Sequence, residues 1–152
     1  MTYFWSAIFA FFGTMGFTIL FNCPKKSVFK ASLIGALGWT GYMLTVDSGQ
    51  SVITATFVGA ITVGLIGELF ANKFRSPATI FIIPGIIPLV PGYGIYYTMI
   101  SIITKDYNTA TTKGFEALFV ALAIATALII TSTVGRLIRN NKTSHIMYYT
   151  KS

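Results

Sequence analysis

Between Arg75 and Lys105 the chain runs for 29 residues without a charge, and three prolines and three glycines interrupt the middle of that run. The interrupted stretch is Ile83-Pro84-Gly85-Ile86-Ile87-Pro88-Leu89-Val90-Pro91-Gly92-Tyr93-Gly94. A straight helix of the full length would measure about 43 Å, against a hydrocarbon core about 30 Å thick. Proline in a helix interior costs about 3 kcal/mol and glycine about 1. Prolines spaced by four and then three residues delete successive backbone donors and collide with the carbonyls before them, so no regular helix passes through. Non-helical backbone at membrane depth persists only where protein covers it or water reaches it. In transporters such breaks aim half-helix ends at a substrate and free carbonyls at ions, and the positive ends suit a carboxylate. A proline-kinked helix that only shapes the bundle is the alternative. One proline would favour it; three prolines with three glycines weigh against it. The residues expected to line a solute site are Pro84, Gly85, Pro88, Pro91, Gly92, Tyr93 and Tyr96. Tyr96 and Tyr97 fit an outer aromatic belt equally well.

The rest of the chain matches a membrane setting. Hydrophobic side chains make up 54% of its 152 residues and charged ones only 10%, against about 25% charged in an ordinary soluble domain. A soluble fold of this size buries only about 70% of the surface its unfolded chain exposes. That excludes a soluble monomer and a disordered tail. A single Cys and a single His exclude a disulfide scaffold and a self-contained metal site. A helix crossing the core needs about 20 mainly apolar residues. Five segments qualify, at about residues 3–21, 28–46, 52–71, 78–103 and 115–137. The expected fold is therefore an all-α, polytopic membrane helix bundle of five transmembrane helices, the fourth broken. Residues 1–140 form the five-span membrane domain, and residues 141–152 a short cytoplasmic polar tail. The first segment lacks a basic n-region and a small-residue cleavage site, so it reads as a retained span, with Cys23 an ordinary thiol.

Charge sets the expected orientation. Lys and Arg near span ends prefer the cytoplasm. If all five segments cross, Lys25, Lys26, Lys30, Lys73, Arg75, Arg136, Arg139, Lys142 and Lys151 share one side, and only Lys105 and Lys113 lie on the other. The amino terminus is then outside and the carboxyl terminus in the cytoplasm. The net charge of +7 is a topology signal, with attraction to the anionic lipid bilayer as a by-product. Its spread over three loops argues against a nucleic-acid partner.

Small residues four apart let membrane helices approach closely. Ala31 and Gly35, Ala60 and Gly64, Gly67 and Ala71, and the row Ala117, Ala121, Ala125 are expected to face other helices, some of them on another chain. No ionisable residue lies mid-span, where proton-coupled carriers commonly place one. Glu68 is nearest, about one turn from the end of span three. It suits either a proton role or an ion pair with Lys73 or Arg75. A proton relay would then lie on a partner. Broken helices usually come in pairs and this chain has one, so a second copy or a different subunit would supply the other. No catalytic motif, metal spacing or cofactor loop is present in the sequence, so no enzyme activity, cofactor or metal is expected.

Several stretches resemble a known family. Gly35-Ala36-Leu37-Gly38-Trp39-Thr40-Gly41-Tyr42, Gly64-Leu65-Ile66-Gly67-Glu68-Leu69-Phe70-Ala71 and Phe21-Asn22-Cys23-Pro24 are similar to the carboxyl-terminal domain of the threonine/serine exporter family. So, more specifically, are Ser76-Pro77-Ala78 and the run from Ile83 through Gly92, with Tyr96 following. The resemblance covers about residues 5–140. It implies the small subunit of a two-component (split) exporter in the bacterial cytoplasmic membrane, the cell inner membrane. That subunit works with a larger partner subunit. Implied solutes are small and carboxylate-bearing: threonine and serine, moved by a proton gradient, or a dicarboxylate such as succinate. The alternatives are a structural or regulatory membrane subunit without its own solute path, and a homo-oligomeric channel.

Overall fold

The computed structural model describes residues 2–149, with side chains for residues 3–137, and is helical throughout apart from short turns. The elements are α1 (Thr2–Leu20), α2 (Lys25–Asp47), α3 (Val52–Phe74), α4 (Thr79–Gly85), a 3-10 turn (Ile87–Leu89), α5 (Gly92–Ile103) and α6 (Tyr107–Tyr149).

Four helices end in the same way. Asn22, Gly49, Arg75 and Lys105 each take positive φ, of 54°, 80°, 50° and 61°. The next N–H then folds back to a carbonyl of the preceding turn: Cys23 to Thr18 at 3.1 Å, Gln50 to Thr45 at 3.4 Å, Ser76 to Ala71 at 3.1 Å, Asp106 to Ser101 at 2.9 Å. This satisfies carbonyls that a helix end would otherwise leave bare. Side chains open two helices. The Ser51 hydroxyl accepts from the Thr54 N–H at 3.2 Å, and the Asp106 carboxylate accepts from the Thr109 N–H at 3.2 Å. The second cap starts α6 at Tyr107, eight residues before the expected span, and carries it through 43 residues. The polar tail expected over 141–152 is thus helical backbone as far as Tyr149. Its side chains, including those of Lys142, His145 and Lys151, lie outside the described residues, as does that of Arg139 just before it.

Each of the first helices runs antiparallel to the one before, as the glycine contacts show. An ideal Cβ on Gly35 of α2 would collide with Thr14 of α1, and one on Gly38 with Val63 of α3. On Gly67 of α3 it would meet Ile82 of α4 at 2.6 Å. Helix α6 lies along α3, where Gly64 abuts Thr131 and Gly135 abuts Glu68. The core gathers Ala31 and Ile34 of α2, Ala60 and Val63 of α3, Phe81 of α4 and Leu89 of the turn. Buried hydroxyls bond back to their own helices: Thr14 donates to the Ala10 carbonyl at 2.8 Å, Thr18 to Thr14 at 2.6 Å, Thr56 to Val52 at 2.8 Å. They leave no polar group bare in an apolar interior.

The expected helical membrane bundle is present, and its five expected spans are supported in part. Among the described residues, three helices are by themselves long and apolar enough to cross a bilayer: Tyr3–Leu20, Val52–Phe74 and Tyr107–Leu137. The pair Thr79–Leu89 and Gly92–Ile103, bent by 52°, makes a fourth if taken as one span. Helix α2, expected as a fifth, does not meet that measure. Lys25, Lys26 and Lys30 open it, and Ser27, Ser32, Thr40 and Thr45 lower its apolarity. It is covered by α1, α3 and α4, so it depends less on apolar side chains than a lipid-facing helix does. The alanine row on α6 is divided: Ala117 is buried, with an ideal Cβ on Gly94 of α5 only 3.1 Å away, while Ala121 and Ala125 are exposed. The face turned to the bundle also carries Val120, Ile124, Ala127, Thr131 and Gly135. The pairs Ala31–Gly35, Ala60–Gly64 and Gly67–Ala71 are buried.

Candidate functional site

The proline run ends α4 at Gly85 and starts α5 at Gly92. Pro88 and Pro91 bring no N–H, so the α-helical ladder cannot continue. Tighter bonds replace it: Leu89 N–H to Ile86 at 2.9 Å, Val90 N–H to Ile87 at 3.2 Å, Gly92 N–H to Val90 at 2.7 Å. The next N–H groups, those of Tyr93 and Gly94, have no backbone acceptor one turn earlier and form the free amino end of α5.

Protein walls this break on several sides. A cavity of about 430 Å³ lies against it, within the range of roughly 300–1,000 Å³ typical of small-molecule pockets. One wall is the break itself, from Pro88 through Pro91 with Tyr93 and Gly94. Trp39 and Tyr42 of α2 form the second, Val52 and Thr56 of α3 the third, and Glu116, Ala117 and Val120 of α6 the fourth. The Trp39 and Tyr42 rings stack with centroids 5.0 Å apart and planes 23° from parallel. A second, more apolar cavity of about 370 Å³ lies toward α1, against Phe9, Gly13 and Phe17. Trp39 and Pro88 border the two.

The expected site residues separate into three groups. Pro88, Pro91 and Tyr93 line the larger cavity. Pro84 and Gly85 are buried in packing instead, and an ideal Cβ on Gly85 would stand 2.9 Å from Val63 and 3.3 Å from Ile34. They hold α4 tightly against α2 and α3. Gly92 has open space around it, and Tyr96 is 60% exposed on α5. Tyr96 and Tyr97 meet edge to face, with centroids 5.4 Å apart.

Glu68 faces α6, against Gly135. It shares a groove of about 410 Å³ with Thr79, Ile82, Ser132 and Arg136. It pairs with neither Lys73 nor Arg75: the ion pair among the described residues is Lys113–Glu116, at 2.9 Å. Lys73 lies over the Phe74 ring, and Arg75 takes the left-handed conformation that closes α3.

Sequence reading did not single out Trp39, Tyr42 or Glu116. The signal available was the spacing within Gly38-Trp39-Thr40-Gly41-Tyr42. Its glycines turn one face of α2 to α3, and the rings three residues apart stand beside that face.

No solved structure matches the chain. A family model described as threonine/serine exporter, ThrE, matches residues 6–134. That match spans most of the chain, and with helices apolar enough to cross a bilayer it makes this protein a membrane-embedded member of the threonine/serine exporter family, a family of transporters rather than enzymes.

Proposed function

We propose that the chain is the small membrane subunit of a two-component exporter of small carboxylate-bearing solutes. Threonine and serine are the first candidates and a dicarboxylate the next. The observation that carries this reading is the protein-walled cavity at the helix break, whose lining includes Pro88, Pro91 and Tyr93. The free N–H groups of Tyr93 and Gly94 at its edge suit a solute carboxylate. All five segments cross the bacterial cytoplasmic membrane, with α2 carried as a protein-covered span. The distribution of Lys and Arg puts the amino terminus outside, so the cavity beside the α2–α3 turn opens toward the outer face.

A larger partner subunit completes the path. A lone broken span is half of what carriers of this kind use. The exposed aromatic and aliphatic side chains on α1 and α5, among them Phe4, Trp5, Phe9, Tyr96 and Met99, leave room for a neighbour. Export is proton-driven. The partner carries the relay, and Glu68 is the residue of this chain assigned a proton role. The test is efflux of labelled threonine, serine and succinate from vesicles holding this chain with its larger subunit, under an imposed proton gradient. Movement of one of these solutes, lost when this chain is omitted, is the expected result. Movement of none contradicts the proposal.

A further inference from the structure

The cavity at the break carries one acidic group, and the sequence reading left it without a role. Glu116 stands on α6 in the cavity wall, facing the break and the stacked rings of Trp39 and Tyr42. Its carboxylate accepts from the Lys113 ammonium at 2.9 Å, and neither side chain is buried: they are 32% and 38% exposed. Lys113 itself lies 5.8 Å from the centroid of the Tyr93 ring, at the cavity's rim. The site thus holds a carboxylate, flanked by aromatic faces, whose resting partner is a flexible primary ammonium. That is the chemistry of a cation site. An ion pair this exposed is weak, so a ligand ammonium displaces Lys113 at little cost.

We propose that Glu116 binds the substrate's ammonium group and so selects α-amino acids over dicarboxylates. This deepens the exporter reading and rests on it. A zwitterion places its carboxylate at the break and its ammonium at Glu116, where it takes the position held by Lys113. A dicarboxylate of similar length brings a second negative charge against Glu116, and like charges at contact repel. The substrate class that fits is a small amino acid whose side chain the stacked rings and Thr56 accommodate.

The full chain in lipid nanodiscs, with Trp5→Phe leaving Trp39 as the fluorescent reporter, tests this. The probes are L-threonine, its des-amino analogue 3-hydroxybutanoate, and succinate. The unaltered cavity is expected to prefer threonine to the analogue. Glu116→Gln should reduce that preference by about tenfold or more, ~1.4 kcal/mol, with Glu116→Asp restoring part of it. Unchanged preference in Glu116→Gln overturns the proposal. So does an equal loss for threonine and the analogue, which marks a structural role alone. If the Trp39 signal responds saturably to succinate and not to threonine, the assignment to amino acids fails while the exporter reading stands. If it responds to none of the three probes, the assignment of Glu116 to a solute ammonium falls, while the exporter reading stands or falls on efflux by the chain with its larger subunit.

Discussion

The two halves of the bundle are built on different principles. In the half that holds the α3–α4 turn, helices touch through glycines: Gly35 on Thr14, Gly64 on Thr131, Gly67 on Ile82, Gly135 on Glu68. In the half that holds the α2–α3 turn, the stacked Trp39 and Tyr42 rings line a cavity with Tyr93, and prolines replace helix. The first half gains stability by closeness, because small residues let backbones approach and dispersion contacts accumulate. The second leaves open space between its stacked rings and the interrupted backbone. One polypeptide thus separates a tightly packed half from a cavity, and the broken span links them: Pro84 and Gly85 belong to the packing, and Pro88 and Pro91 line the cavity.

The contrast can be broken at its tight half first. Gly64→Val would force a branched side chain into Thr131, and overpacking of this kind costs about 1–3 kcal/mol or more. The expected result is a lower melting temperature of the detergent-solubilised protein; an unchanged one would mean that α3 and α6 do not meet there. Next in size is the cavity half. Pro88→Ala with Pro91→Ala, which lets α4 and α5 join, should lower solute efflux about tenfold or more, equivalent to ~1.4 kcal/mol, while the subunit still assembles. Failed assembly would instead favour a structural subunit without its own solute path.

The small-residue rule itself has an internal control. Gly13 has open space around it. Gly13→Ala should therefore be neutral or stabilise by up to about 1 kcal/mol, where Gly64→Ala destabilises. Smallest is a pH effect at the α5–α6 turn. Hydrogen bonds from the Thr109 side chain and N–H hold the Asp106 carboxyl below its ordinary value. A lowered folded value means the cap's contribution is present above the unfolded value of about 3.9 and lost as pH falls through the folded one. The stability difference between Asp106→Ala and the unaltered chain should accordingly be seen at pH 7 and shrink under acid.

How much of this could be read beforehand follows from the physics of each signal. The break was legible because Pro88 and Pro91 act locally: a missing N–H stops a helix wherever it stands. The expected third span, 52–71, lies within a helix that runs to Phe74. Helix α6 starts earlier than expected because Asn108, Thr109, Thr111 and Thr112 hide a helix from a search for apolar residues, although Asp106 caps it. Rotation about a helix axis was less legible. Ala117, Ala121 and Ala125 show a small-residue spacing, but spacing does not say which neighbour each meets: Ala117 packs beside Gly94, Ala121 and Ala125 are exposed, and α6 presents Thr131 and Gly135 to α3. The cavity walls were least legible. Trp39 and Tyr42 lie far from Glu116 in sequence and meet it only through long-range packing.

The central claim is that the backbone break faces a solute-filled cavity and not lipid. Val90 lines that cavity and is 44% exposed, and Cys23 is the chain's single cysteine. In a Cys23→Ala background, Val90→Cys should react with a membrane-impermeant maleimide added from the outer face, and excess threonine should slow that reaction. A thiol that stays unlabelled, or one labelled at the same rate with and without threonine, would contradict the claim.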